Sequence, residues 1–286
     1  MTLQHFARRI CQLLILCMFI ILPWLNLHGW HGLQGSLFAF SLWHIPFADP
    51  ASAAQTYAAA ATEGQWPLPG YLWGAIFSLL IALLMGRIFC SWICPYGLLS
   101  EILHGLRTKA NIPMKARQRS LVWMCKCGWL VLALLVVIFL AYPAITVFSM
   151  PGQISLLPIP FWLGESLGII ALASVAPLTA LIIEGVARRR LWCQYLCPQS
   201  VLLGCASAPL PRSLPGLRIR WSPKKCTCGS GNYCAKACSM NLNPRHINGP
   251  SRRDCTMCGD CIEACKKHGG ALQYALLENN AKNAKP

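Results

Sequence analysis

Cys255-Thr256-Met257-Cys258-Gly259-Asp260-Cys261-Ile262-Glu263-Ala264-Cys265 sets four cysteines at the spacing C-x2-C-x2-C-x3-C. Thiolates at that spacing hold [4Fe–4S] clusters. The first three wrap one corner of a cube, and the fourth reaches across to a second cluster held by a sister motif. Gly259 follows the second cysteine, where a tight turn brings backbone N–H groups near cluster sulfurs. Zinc knuckles also use paired C-x2-C units, but they tend to stand about a dozen residues or more apart. Four cysteines within one short run favour iron–sulfur.

The expected sister motif lies upstream in altered form, as Cys226-Thr-Cys228-Gly-Ser-Gly-Asn-Tyr-Cys234-Ala-Lys-Ala-Cys238. Its final C-x3-C is intact. Position 231, where a regular motif has a cysteine, is Gly231, and Cys226 comes two residues early. Either Cys226 and Cys228 both ligate through a rearranged glycine-rich loop, or three cysteines leave one corner open or substituted. The first alternative is favoured. The crossed pattern then predicts one cluster on Cys226, Cys228, Cys234 and Cys265, and another on Cys238, Cys255, Cys258 and Cys261. Ser239 and Lys266 replace the proline that commonly follows such motifs.

The rest of the chain belongs to another solvent. Of 286 residues, 55% are hydrophobic and only 12% charged, too apolar for an ordinary soluble domain. Four apolar blocks are each long enough to span a bilayer as helix: Ile10 to Trp30, Tyr71 to Phe89, Leu121 to Ala141 and Leu163 to Ile183. The first follows Arg8-Arg9 like a signal peptide, but it runs past signal length and lacks a small-residue cleavage site, so it reads as an uncleaved helix.

A net charge of +16 can indicate nucleic-acid binding, but its distribution excludes that reading. Lys and Arg are absent from Trp30 to Gly70 and from Tyr142 to Glu165. That is the positive-inside pattern, and it places both termini in the cytoplasm and two loops outside. None of the 17 cysteines falls in either outward loop. They are reducing-compartment thiols, suited to metal or redox work rather than to a disulfide framework.

The second and fourth blocks end alike, in Arg87-Ile-Phe-Cys90-Ser-Trp-Ile-Cys94-Pro95 and Arg190-Leu-Trp192-Cys193-Gln-Tyr-Leu-Cys197-Pro198. The repetition predicts two helix-pair halves with a parallel internal repeat. Cysteines at i and i+4 share a helix face. These pairs suit metal ligation across the halves, dithiol cycling or contact with a partner's redox centre; two buried structural thiol pairs are the plainer reading. Cys11, Cys17, Cys125, Cys127 and Cys205 read as packing residues. His31 and His44 in the first outward loop read as interface residues. Glu101 and His104 read as a solvated helix face or, less simply, a proton-relay pair. Ala51 to Ala61 predicts a short helix, and the proline-rich stretch from Tyr142 to Phe161 an irregular loop.

The expected fold class is therefore an all-α integral membrane protein of four transmembrane helices in two helix-pair repeats, plus a small C-terminal ferredoxin-like α+β module with two [4Fe–4S] clusters. The expected divisions are a membrane domain over 1–205, a linker over 206–217, the module over 218–270 and a polar tail over 271–286.

Together, the four helices, the two Cys-x3-Cys-Pro motifs and the C-terminal cluster motifs resemble the NapH-type ferredoxin-like membrane subunits of quinol dehydrogenases. MauN, the C-terminal part of NosR and the CcoG-type proteins look like relatives. The resemblance implies a location in the bacterial cytoplasmic membrane and electron transfer from quinol toward a periplasmic system. It also implies a second ferredoxin-type subunit and a membrane-anchored multihaem cytochrome or periplasmic reductase as partners. It carries Cys90, Cys94, Cys193 and Cys197 over as motifs for electron transfer or partner contact. A maturation factor that reduces a metal or thiol for another enzyme is the alternative, and a zinc-bound scaffold the non-redox one.

Overall fold

The computed structural model describes residues 3–30, 32–35, 39–43, 45–64, 69–109, 119–140, 142, 144–208, 216–247 and 252–276. His31, His44 and most of the 206–217 linker lie outside the described residues. Three helices are long and apolar enough to cross a membrane: α1 (Leu3–Leu27), α6 (Arg119–Leu140) and α10 (Leu167–Ala187). They leave Leu14, Phe139, Leu167 and Val186 at 65–84% exposure, a surface that lipid satisfies and water does not. The fourth expected span, α3 (Pro69–Met85), is apolar but has only 17 residues. It stops before Phe89 because Gly86 turns left-handed at φ +71°, a conformation open to glycine. α10 starts later than expected, after Gly164 (φ +69°) and an extended Ser166.

The segments expected to face outward carry more regular structure than the sequence indicated. β1 (Leu33–Gly35), β2 (Ala39–Leu42) and β3 (Ile45–Ala48) form an antiparallel sheet, so this domain is not all-α. The alanine-rich run is α2 (Pro50–Glu63), whose cap Asp49 accepts a hydrogen bond from Ser52 N–H at 2.8 Å. The stretch expected as an irregular loop instead contains α7 (Ala144–Val147), α8 (Met150–Leu156) and α9 (Pro158–Trp162). Pro151 and Pro158 stand in the first turns of α8 and α9, where a missing N–H breaks no helical bond.

After Gly86 the chain makes a short helix α4 (Phe89–Trp92), turns at Cys94 and continues as α5 (Pro95–Lys109). After α10 it makes a π-helical turn at Trp192–Leu196 and continues as α11 (Pro198–Ser207). Packing is crosswise. α11 lies against α2 and α3, while α5 lies against α8 and α10. Ala51 N–H donates to Gln199 Oε1 at 3.3 Å on that seam.

The C-terminal module closes on two antiparallel strands, β4 (Arg218–Trp221) and β5 (Leu272–Ala275). The sheet thus extends past residue 270 into the stretch expected as a tail. α12 (Tyr233–Lys236) and the helix Asp260–Lys266 carry the two C-x3-C segments. Ile219, Met240, Leu242, Ile262 and Leu272 pack with Cys234, Cys255, Cys261 and Cys265 into one core. The module is bonded to the membrane domain: Leu217 N–H donates to Leu84 O at 2.7 Å, and Ser91 Oγ–H donates to Thr256 O at 2.7 Å.

Candidate metal-cluster sites

Cys238, Cys255, Cys258 and Cys261 line one small cavity in the module. The loop that presents them is tied down by β5, because Tyr274 Oη–H donates to Met257 O at 2.8 Å. Gly259 has φ +84°, and a Cβ there would stand 2.8 Å from Tyr274 Oη, so only glycine fits without displacing that bond. Leu242 N–H donates to Cys238 Sγ at 3.4 Å. Burial pushes the Cys255 thiol up to about 12 and Cys258 and Cys261 well above the ordinary thiol range. The cavity lining includes four thiols and neither carboxylate nor imidazole, a donor set that fits an iron–sulfur cluster.

The other expected set lies nearer the surface. Cys234 and Cys265 are buried in the core, whereas Cys226 and Cys228 are only partly covered. The Cys226 and Cys228 sulfurs stand 3.5 Å apart, brought together at a loop in which Gly229 (φ +51°) and Asn232 (φ +45°) are left-handed. Arg245 Nη2–H donates to Cys228 Sγ at 3.0 Å and to Gly229 O at 3.3 Å. No sequence signal singles out Arg245, because its contact is made across a loop and has no fixed spacing.

The four cysteines of the Cys-x3-Cys-Pro motifs converge. Each of the six pairs among Cys90, Cys94, Cys193 and Cys197 lies within electrostatic reach. The turn between partners is wider than an α-helical turn: Cys94 N–H bonds Phe89 O at 3.1 Å and Cys197 N–H bonds Trp192 O at 2.9 Å, five residues back in each half. The same-face expectation was therefore met through a π-type turn. Arg87 Nη2–H and Arg190 Nη2–H each donate to the first cysteine of their motif, Cys90 and Cys193, at 3.8 Å. Burial pushes Cys193 up to about 11, with Arg190 and Arg87 opposing, and Cys197 up to about 12, with Arg87 opposing. Cys17, Cys125, Cys127 and Cys205, read as packing residues, are instead exposed on the outer surface. Among the described residues, no three His, Cys, Asp or Glu side chains form a site for a single metal ion.

Between thiols and module runs a buried charge layer. Glu101 is 4% exposed and His104 7%, so the expected solvated face is in fact covered by α1 and the module. Glu101 accepts two hydrogen bonds from Arg8 at 2.9 and 3.0 Å and one from Arg9 at 3.2 Å, and Arg8 also donates to Asp260 at 2.8 Å. Asp254 takes Lys126 at 3.3 Å and Arg87 at 3.8 Å. Glu184 accepts from Ser100 Oγ–H at 2.6 Å and Trp192 N–H at 2.9 Å. Buried cations outnumber buried carboxylates here: Arg8, Arg87, Lys126 and Arg190 face Glu101, Glu184 and Asp254. Buried uncompensated cations are expensive, and the surplus suits anionic thiolate groups beside it.

Membrane-length apolar helices and the comparisons with known proteins together give the class, a ferredoxin-type 4Fe-4S electron-transport protein with membrane-spanning helices. A family model described as a 4Fe-4S binding domain matches residues 67–113 and again 168–217, and each match contains one Cys-x3-Cys-Pro motif. The chain is a relative of the ferredoxin-type protein NapH. It is 24% identical to that of Escherichia coli (strain K12) over 272 residues, 91% of this chain and 85% of NapH. It is 29% identical to NapH of Haemophilus influenzae over 268 residues, 91% of this chain and 86% of the relative. The methylamine utilization ferredoxin-type protein MauN of Methylobacillus flagellatus is 26% identical over 236 residues, 81% of this chain and 74% of its own. No solved structure matches the chain.

Proposed function

We propose that the chain carries electrons from membrane quinol toward a periplasmic respiratory or dehydrogenase system. In this reading Cys238, Cys255, Cys258 and Cys261 hold one [4Fe–4S] cluster, and Cys226, Cys228, Cys234 and Cys265 another. The observation that carries it is the cavity lined by four thiols in a module bonded to apolar helices. Such clusters, when bound, exchange one electron at a potential that the surrounding protein sets. Cys234, Cys255, Cys261 and Cys265 lie in the module's buried core, while Cys226 and Cys228 are only partly covered, at a point where a second ferredoxin-type subunit can approach. Both termini and the module lie on the cytoplasmic side, and a membrane-anchored multihaem cytochrome or a periplasmic reductase is the onward partner.

For quinol, an open apolar groove of about 420 Å³ lies between α8, α9 and α10, lined by Gln153, Leu156, Leu157, Leu172 and Ala176. Gln153 Oε1 is buried and takes no hydrogen bond among the described residues, so it can accept one from a quinol hydroxyl. Leu157 and Ala176 also pack in the core that holds Cys94, Cys193 and Cys197, which puts the groove beside the thiols.

The test is anaerobic purification of the full chain, with iron, sulfide and zinc analysis and EPR before and after a quinol analogue. A Cys255→Ser/Cys258→Ser variant should lose about four irons and one signal, and so should Cys226→Ser/Cys228→Ser. Zinc in place of iron, with a silent spectrum, overturns the reading. The converging Cys-x3-Cys-Pro thiols support a second reading, a maturation factor. It predicts that removing those thiols abolishes one client holoenzyme while isolated membranes still oxidise quinol.

A further inference from the structure

We propose that the module face around Cys226 and Cys228 docks a carboxylate-rich one-electron carrier protein. The proposal rests on the cluster reading above and deepens it, naming where electrons leave the chain and the charge class of what receives them. The two partly covered sulfurs stand 3.5 Å apart, and three segments meet beside them. Gly269 backs onto Lys225 O and Thr227 Oγ1 with no room for a Cβ. The Tyr233 and His268 rings stack at 3.9 Å with 7° between their planes, and Lys236 Nζ stands 5.6 Å from the Tyr233 centroid. Arg245 joins the group through its bond to Cys228 Sγ at 3.0 Å.

This face carries one sign of charge. Lys224, Lys225, Lys236, Lys266 and Lys267 are exposed. No residue from 185 to 253 is Asp or Glu. Of the module's carboxylates, Asp254 is bound by Lys126 at 3.3 Å and Asp260 by Arg8 at 2.8 Å, both cations of the membrane domain, and Glu263 is half-buried. The positive-inside bias accounts for the lysines but not for the missing carboxylates, because Asp and Glu contribute little to topology. Like charges gathered on one face steer an oppositely charged partner, chiefly by raising its association rate. Tyr233, 43% exposed and stacked on His268, supplies a rigid aromatic anchor of the sort that interfaces use.

The competing occupant is the anionic surface of a bilayer. The module is anchored to the membrane domain through other residues: Leu217 to Leu84, Ser239 to Arg190, Thr256 to Ser91 and Asp260 to Arg8. A lipid surface also explains neither the stacked ring pair nor the two thiols beside the lysines. An electron carrier explains both, because an electron crosses where donor and acceptor approach closely. In that step one electron passes from this chain to the oxidised carrier, which is reduced; no bond forms or breaks and no proton moves.

The full chain is purified anaerobically in nanodiscs, unaltered and as Lys224→Glu/Lys267→Glu, with iron and EPR signals measured on both. The probe is a strongly acidic soluble [2Fe–2S] ferredoxin. Whichever protein has the lower potential serves as donor, and electron exchange is followed by stopped flow. The charge-reversed form should exchange about tenfold more slowly at low ionic strength, and high salt should remove the difference. Acetylation read by mass spectrometry should show the five exposed lysines protected by the ferredoxin. Equal rates in the two forms, with iron retained, overturn the docking face and leave the cluster reading standing. Protection by nanodiscs rich in phosphatidylglycerol, without protection by the ferredoxin, overturns it in favour of the membrane. An EPR spectrum unchanged by Cys226→Ser/Cys228→Ser refutes the cluster reading, and the proposal with it. Should the charge-reversed form not fold, the salt dependence and acetylation pattern of the unaltered chain decide: salt-independent exchange without protection overturns the proposal.

Discussion

Replacing Glu101 by alanine tests whether the module is locked to the membrane helices by buried charge. Arg8 is fully buried, and its guanidinium makes three hydrogen bonds: two to Glu101 at 2.9 and 3.0 Å and one to Asp260 at 2.8 Å. The alanine variant removes the first two, along with the contacts of Arg9 and Gln12 at 3.2 and 3.4 Å. Arg8 would then depend on Asp260 alone, and that carboxylate is 21% exposed. Breaking a buried pair from one side costs about 3–5 kcal/mol, mostly because the remaining charge stays out of water. At about 2–4 °C per kcal/mol for a chain of this order of size, the thermal midpoint should fall by about 10 °C. The assay is thermal unfolding of anaerobically purified protein in detergent, followed by cluster absorbance and by tryptophan fluorescence. Glu101→Gln, which keeps an acceptor oxygen but loses the charge, should fall by roughly half as much. Cluster absorbance should be lost at or before the fluorescence transition, since Asp260 belongs to the cluster loop. If both variants stay within about 2 °C of the unaltered chain, the buried-lock argument is wrong.

Further outcomes follow from single contacts. Gly97→Ala would set a Cβ 2.3 Å from the Cys90 carbonyl oxygen, so about 1–3 kcal/mol of overpacking and faster alkylation of Cys90 and Cys94 in the native protein are expected; unchanged thiol reactivity would tell against the close turn. Burial raises the Asp49 carboxyl to about 6, so the fold binds more protons there than the unfolded chain between about pH 4 and 6, and stability falls as pH rises through that window. Asp49→Asn should keep the Ser52 cap, flatten that slope and gain about 1–2 kcal/mol near pH 7 after discounting partial exposure; a thermal-midpoint profile that keeps its slope refutes it. Arg245→Ala removes the cation 3.0 Å from Cys228 Sγ and should lower the reduction potential of the cluster proposed on Cys226 and Cys228 while leaving the other proposed module signal in place, as read by EPR-monitored redox titration.

Much of the architecture was open to inspection in the chain. The thiol spacing from Cys255 to Cys265, the apolar blocks and the repeated Cys-Pro endings each led to a feature of the folded protein. Errors clustered where local pattern competes with tertiary packing. Prolines between Tyr142 and Phe161 read as loop signals, yet two of them start helices. Glu101 and His104 at i and i+3 read as a wet surface, because nothing local announces that α1 and the module cover them. Arg87, Arg190 and Arg245 read as basic residues at helix ends or in loops. Their contacts with sulfur are visible only in three dimensions.

Ligand spacing and hydrophobic run length are properties of neighbouring residues, and so the sequence by itself determined the cysteine motif and the apolar helices. The meeting of Cys90 and Cys94 with Cys193 and Cys197 is different. It depends on α5 and α11 crossing to pack on the opposite half, and on a buried layer in which Arg8, Arg87 and Arg190 find their carboxylates and thiols. Those contacts join residues far apart in the chain, and only a tertiary structure that brings the charges together out of water decides them.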